Sequence, residues 1–163
     1  MIKQISRNQL PACLDVFHSG YLPVALEFGL TNENCPHRGR ASLPFEKLVG
    51  DFDGGALMFG YFVGEENDEK LVGVLSIKMH SSDVCKLNDV VVMPEHQKKG
   101  YGTALLNFAK EKALEMGAKK VFLGMIDDNT CLKEWYLAHE FAPAGTQRLD
   151  GAPFVTGYME CVL

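Results

Sequence analysis

No apolar run in the chain reaches the ~18 residues that a helix needs to cross a bilayer, so no membrane anchor is expected. There is no C-x-x-C pair. The cysteines, Cys13, Cys35, Cys85, Cys131 and Cys161, are odd in number and several sit in apolar runs, which argues against a disulfide framework. Free, partly buried thiols in a reducing compartment are expected instead. Basic charge is in deficit: 16 Lys and Arg stand against 21 Asp and Glu, a net charge of −5. That balance disfavours nonspecific binding to nucleic acid or anionic membranes, and it is mildly compatible with a cationic amine substrate. Residues 1–7 contain no apolar signal-peptide core, so a cytoplasmic location is expected. Cys35-Pro36-His37 has no second ligand pair at suitable spacing; no metal is expected, and His37 reads as a surface or pocket histidine. Repeats, low-complexity tracts and interdomain linkers are absent.

Two phosphate-binding signatures are missing as well. The P-loop pattern G-x-x-x-x-G-K-[ST] does not occur. The dinucleotide pattern G-x-G-x-x-G is half present, because Gly100-Tyr101-Gly102-Thr103-Ala104-Leu105 lacks the third glycine and residues 93–99 separate it from the preceding strand. A nicotinamide-dependent enzyme is therefore disfavoured.

What is present is a globular balance: 163 residues, 47% hydrophobic and 23% charged. That length suits one domain, residues 1–163, burying roughly 70% of its unfolded surface. A short strand at 2–6 precedes a helix that starts near Asn8 and should end at Gly20. Residues 19–43 are irregular, with one helical turn near 24–28, and read as a substrate loop. A helix over 43–52 capped by Ser42 follows. Strands at 56–63, 71–79 and 84–92, joined by short polar loops, imply an antiparallel meander. A helix over 103–116 and a strand over 119–125 then complete a strand–helix–strand crossover, which demands one parallel pairing. A helix over 128–139, a strand from Phe141 and a strand over 154–162 close the chain, the last two antiparallel across a loop at 145–153. The fold class is α/β: a mixed, mostly antiparallel sheet with a central parallel pair and helices on both faces.

The chemistry concentrates after the third meander strand. Val90-Val91-Val92 is a buried-strand signal, and Pro94 ends it because proline has no N–H for a sheet ladder. Gly100 and Gly102 then precede a helix N-terminus, whose unbonded N–H groups and dipole suit an anion. Lys98 and Lys99 add positive charge, so the natural ligand is a phosphate or pyrophosphate.

Gln97-Lys98-Lys99-Gly100-Tyr101-Gly102, after Val92-Met93-Pro94-Glu95, fits Q/R-x-x-G-x-G/A behind a V-x-x-P strand end, and it resembles motif A of the GCN5-related N-acetyltransferase (GNAT) family. Asn129 to Phe141 resembles the family's motif B, N-x-x-A-x-x-x-Y-x-x-x-G-F, with Glu140 in place of the usual glycine. That substitution bears on the turn before the next strand. The two motifs cover residues 84–141; the N-terminal third shares only the order of elements.

The resemblance implies a GNAT acyl-CoA N-acyltransferase fold and transfer of an acetyl group from acetyl-CoA, without a metal, directly to a primary amine of a small molecule, amino acid or protein. The alternative is a non-catalytic CoA-binding sensor or interaction module. The cofactor would be held by Val90, Val91, Val92, Gln97, Lys98, Lys99, Gly100, Tyr101, Gly102, Thr103, Asn129 and Tyr136. By the same resemblance Tyr136 acts as general acid toward the leaving thiolate. As a plain helix N-cap Asn129 needs no ligand, and Tyr136 also fits an amphipathic core. The two are about two helical turns apart and can face one ligand.

For the base, Asn88 and Asp89 lie on the strand where members carry an acid. Strand alternation lets at most one face the pocket. Asp89 is the candidate, against a purely structural carboxylate; Glu27 and a water chain are the others. A ping-pong route through Cys131 or Cys85 is disfavoured, since neither has an adjacent histidine. Acetyl-CoA and an amine acceptor are the expected partners, with no nucleic acid and no membrane. A homodimer is a common arrangement in the family, but no sequence feature demands one.

Overall fold

Alternating apolar side chains on both faces of one sheet organise the chain, as the computed structural model, which describes residues 1–36 and 39–163, makes plain. In chain order the elements are β1 (Ile2–Gln4), α1 (Leu10–Glu27), α2 (Phe45–Asp53), β2 (Leu57–Val63), β3 (Lys70–Met79), β4 (Val84–Val92), α3 (Tyr101–Glu115), β5 (Lys120–Ile126), α4 (Thr130–Ala138), β6 (Ala142–Arg148) and β7 (Val155–Val162). The seven strands form a single sheet in the order β1-β2-β3-β4-β5-β7-β6. All neighbours are antiparallel except β4 and β5. On one face α1 and α2 cover Met58, Phe62, Val74 and Val91 with Leu10, Cys13, Val16, Phe17 and Leu48. On the other, Leu105, Leu106, Ala109 and Ala113 of α3 and Tyr136 of α4 pack on Phe59, Leu75, Ile77, Leu87, Val121 and Leu123. No helix among the described residues is long and apolar enough to cross a membrane.

The parallel pair is short, and this opens the molecule. Val84, Cys85 and Lys86 pair with Lys120, Val121 and Phe122, and then β4 and β5 part. Beyond Lys86 the β5-side edge of β4 has no strand partner among the described residues. β4 also carries a bulge: Ser76 faces Asp89 and Ile77 faces Leu87, leaving Asn88 as the extra residue.

Several expectations need correction. Gly20 does not end α1, and the helix continues through Pro23 to Glu27. A Cβ at position 20 would come within 2.2 Å of Val91 Cγ2 and 3.3 Å of the Val92 carbonyl oxygen. Glycine is there to let the helix touch β4, and that packing outweighs its poor helix propensity. The helical turn expected at 24–28 is the end of α1, so the irregular segment is shorter than foreseen. Ser42 lies in a 3₁₀ turn (Arg40–Ser42), and the helix after it begins at Phe45 behind Pro44. α3 begins at Tyr101, two residues earlier than foreseen. β6 runs through Gly145 to Arg148, so the last loop starts later than 145. His37 lies outside the described residues.

Candidate active site

The loop between β4 and α3 is closed onto the strand it leaves. Gln97 Nε2 donates to the Val92 carbonyl at 3.0 Å. Lys98 (φ 59°) and Gly100 (φ 84°) both take the left-handed conformation, which turns the backbone into the helix start. Gly100 is the N-cap of α3. Among the described residues, no acceptor is found for the backbone amides of Lys98, Lys99, Gly100, Tyr101, Gly102 and Thr103; Ala104 is the first to bond back, to Gly100 at 3.0 Å. A run of free amides at the positive end of a fifteen-residue helix, flanked by the exposed Lys98 and Lys99, has the chemistry of a pyrophosphate site. It fits the diphosphate of a coenzyme A.

The two glycines do different work. Gly100 needs its positive φ, and its Cβ direction is open. At Gly102 a Cβ would make ordinary contacts with Trp135 Cζ2 (3.6 Å) and Val92 Cγ2 (4.0 Å). Alanine therefore fits at position 102, but larger side chains meet the indole. The side chains of Gln97 and Tyr101 are structural: Gln97 pins the loop, and Tyr101 stacks on Tyr61 with centroids 4.3 Å apart.

Helix α4 buttresses this loop from below. Thr103 Oγ1 lies 3.0 Å from His139 Nε2, and His139 Nδ1 lies 2.7 Å from the Trp135 carbonyl. The carbonyl makes Nδ1 the donor, so in the neutral ring Nε2 accepts from the Thr103 hydroxyl. Sequence reading missed this clamp. It missed too that Glu140 adopts φ 71°, the glycine-like turn that the motif normally places there. Lys110 answers by donating to the His139 carbonyl (2.6 Å) and to Glu140 Oε2 (3.0 Å).

Where β4 and β5 part, a cavity of about 600 Å³ opens between the end of α1, the Arg40–Ser42 turn, both strand edges and α4. It brings together Asp89, Val90, Asn129 and Tyr136 from the expected set. Asn88 lines it too, because the bulge breaks the alternation that allowed only one of the pair. Glu27 does not belong to the lining among the described residues; it is exposed at the end of α1. Met93 donates to Val72 on β3, so alternation turns the Val90 and Val92 amides to the open edge and the Val91 amide toward β3. Cys85 is buried in the core, and Cys131 is exposed and outside the lining.

Asp89 is 4% exposed. Its Oδ1 accepts from the Tyr21 hydroxyl at 3.0 Å and faces Arg40 Nε at 3.2 Å. Its Oδ2 accepts no hydrogen bond from the described residues. Burial raises its pKa above the ordinary carboxylate value, and Arg40 and the Tyr21 hydrogen bond oppose that only in part. Tyr21 and Arg40 carry no local motif and reach Asp89 only through the fold. Tyr136 is 6% exposed and held edge-on by Trp135 (5.0 Å) and Phe141 (5.3 Å). Its hydroxyl has no hydrogen-bond partner among the described residues, and burial, then Asp89, raises its pKa, keeping it a proton donor. Asn129 caps α4, its Oδ1 accepting from the Leu132 amide at 3.2 Å. Its Nδ2 has no hydrogen-bond partner among the described residues, so capping leaves that group available.

Residues 31–141 match the acetyltransferase (GNAT) family, and the chain belongs to that family. Among curated proteins, the uncharacterized N-acetyltransferase YjgM of Escherichia coli (strain K12) is 30% identical over 89 residues, 55% of this chain and 50% of the relative. The chain thus matches about half the length of that relative. Among solved structures, the PaiA N-acetyltransferase of Thermoplasma acidophilum in complex with coenzyme A superposes with a TM-score of 0.76 at 20% identity, covering 100% of this chain and 98% of that one. A GNAT family acetyltransferase from Elizabethkingia anophelis with acetyl-CoA bound gives 0.68 at 14%, covering 100% and 97%. At such identities these likenesses are of fold.

Proposed function

We propose that the protein is an N-acetyltransferase that uses acetyl-CoA and acetylates a primary amine by direct transfer. The run of unbonded amides from Lys98 to Thr103 at the start of α3, opening beside the cavity's end of β4, carries this reading. Acetyl-CoA supplies an activated acetyl group as a thioester. The loop amides with Lys98 and Lys99 hold its phosphates, the Val90 and Val92 amides on the open edge of β4 hold its pantetheine, and Asn129 Nδ2 donates to it.

An alkylamine with a pKa of ~10 is mostly protonated at neutral pH and must lose a proton before it can attack. Asp89 Oδ2 takes that proton, while Tyr21 and Arg40 hold the carboxylate still through Oδ1. As the C–S bond breaks, Tyr136 gives its phenolic proton to the departing thiolate, and the second proton that the nitrogen sheds on becoming an amide restores the phenol. Without a covalent enzyme intermediate, the cysteines have no part in the reaction. Thiols at Cys13, Cys85, Cys131 and Cys161 outside any disulfide fit a reducing, cytoplasmic compartment.

The test is thiol release from acetyl-CoA across a panel of amines. Amine-dependent release by the wild type supports transfer. Binding of acetyl-CoA with no release on any amine points to the sensor reading instead.

A further inference from the structure

The cavity wall differs in charge from the molecule around it. The chain carries a net −5, yet among the described residues the cavity is lined by Arg40, Lys47 and Lys86 against one carboxylate, Asp89. Two of these cations are already answered. Arg40 meets Asp89 and, at 3.3 Å, Asp51; Lys47 meets Asp51 at 3.0 Å. Lys86 is not: its ammonium has no ion-pair or hydrogen-bond partner among the described residues, and its charge reaches Asp89 only at longer range. Neighbouring carboxylates are taken elsewhere, Glu160 by Lys120 at 2.9 Å and Asp127 by Lys133 at 2.7 Å.

The position of Lys86 is fixed by the fold. It is the last β4 residue paired with β5, opposite Phe122, where the strands begin to part. His80 meets the Phe122 ring edge-on at 5.0 Å, and Tyr158, whose hydroxyl donates to Gln147 at 2.9 Å, completes this end of the wall. Asp89 lies further along β4, about 10 Å by strand rise, and a lysine side chain can close much of that gap. The cavity therefore has a carboxylate for an amine at one end and an uncommitted cation beside an aromatic wall at the other.

We infer that the acceptor is a small amine that also carries an anionic group, of the amino-acid kind, with its amine at Asp89 and its anion at Lys86. This rests on the transferase reading above. Lys86 is then a specificity-determining residue. Coenzyme A phosphates belong to the α3 loop, on separate residues.

The experiment compares kcat/KM for amino acids and their own carboxamides, with acidic, aromatic and aliphatic side chains, in the wild type, in Lys86→Met and in Lys119→Met as a charge control outside the cavity. The carboxamide's amine is the less basic, so intrinsic reactivity biases the comparison against the inference. The wild type should prefer at least one acid over its amide by about tenfold or more, the scale of a charge-assisted contact. Lys86→Met should remove that preference mainly through KM, with the affinity for CoA measured alongside and unmoved; Lys119→Met should retain the preference. Equal or better use of amides, as a peptide N-terminus would give, overturns the inference and leaves the transferase reading intact. So does a preference that survives Lys86→Met, or a fall in CoA affinity in that variant. Turnover of no amine by protein that binds acetyl-CoA removes both.

Discussion

Replacing Gly100 and Gly102 separately by alanine should have unlike effects, although both belong to one motif. At Gly100 the backbone sits at φ 84°. An L-residue there costs about 1–2 kcal/mol, offset by about 0.4–1 kcal/mol from the stiffer unfolded chain. Gly100→Ala should therefore lose about 1 kcal/mol and stay folded. To relieve the strain the loop turns its amides out of line, and CoA affinity should fall about tenfold, the value of one charge-assisted hydrogen bond. At Gly102 the new Cβ meets Trp135 and Val92 at 3.6 and 4.0 Å, and its conformation is helical. Gly102→Ala should keep or slightly gain stability and keep CoA.

Thermal unfolding with added ligand reads both effects. CoA at a hundred times its wild-type Kd should stabilise the wild type and Gly102→Ala by about 2.7 kcal/mol, and Gly100→Ala by about 1.4 kcal/mol. The larger value is roughly 5–11 °C in a protein of this size. Equal CoA stabilisation of all three proteins, or loss in Gly102→Ala alone, would refute the geometry assigned to the loop.

Four further outcomes follow from named contacts. Tyr136→Phe keeps the ring packing with Trp135 and Phe141 but removes the proton, so kcat should fall about 10²-fold with CoA affinity intact; unchanged kcat removes the general-acid role. Burial raises the pKa of Asp89, so the acid limb of kcat/KM should lie above the ordinary carboxylate range, with activity lost as pH falls through it; Asp89→Asn should lower the rate and abolish that limb, and a limb that persists transfers the base elsewhere. Thr156 Oγ1 is a buried oxygen without a hydrogen-bond partner among the described residues, so Thr156→Val should raise stability by about 1 kcal/mol; a clear loss on unfolding would mean that the hydroxyl is satisfied. Glu140→Gly should be more stable than Glu140→Ala by about 1 kcal/mol, because both lose the Lys110 contact and only glycine relieves the positive φ. Equal stability of the two contradicts the strain.

The parts of the site that reading the chain located are those written in consecutive residues. Val90 to Gly102 holds a strand, its stop, the left-handed glycine and the helix start in one stretch, each with a local physical cause. Asn129 and Tyr136 sit on one helix at a spacing that places both at the cavity. What could not be read depends on packing at a distance. Gly20 looks like a helix end by propensity and is a contact point against Val91. The bulge at Asn88 depends on pairing with β3, and it alone lets Asn88 and Asp89 share the cavity. Tyr21 and Arg40 meet Asp89 through the docking of α1 and the turn after it, which no spacing rule encodes. The net charge, mildly compatible with a cationic amine, could not reveal that among the described residues the cavity wall sets Arg40, Lys47 and Lys86 against Asp89, because those side chains meet only through the fold.

The most direct test of the account is calorimetric titration of the wild type with CoA and with acetylpantetheine, which keeps the thioester arm and lacks the phosphates. Two or more charge-assisted hydrogen bonds from the α3 loop, at about 1.5 kcal/mol each, predict that CoA binds at least about a hundredfold tighter. Equal affinities, or no binding of either, would contradict the assignment of residues 98–103 as the phosphate site and, with it, the proposed use of acetyl-CoA.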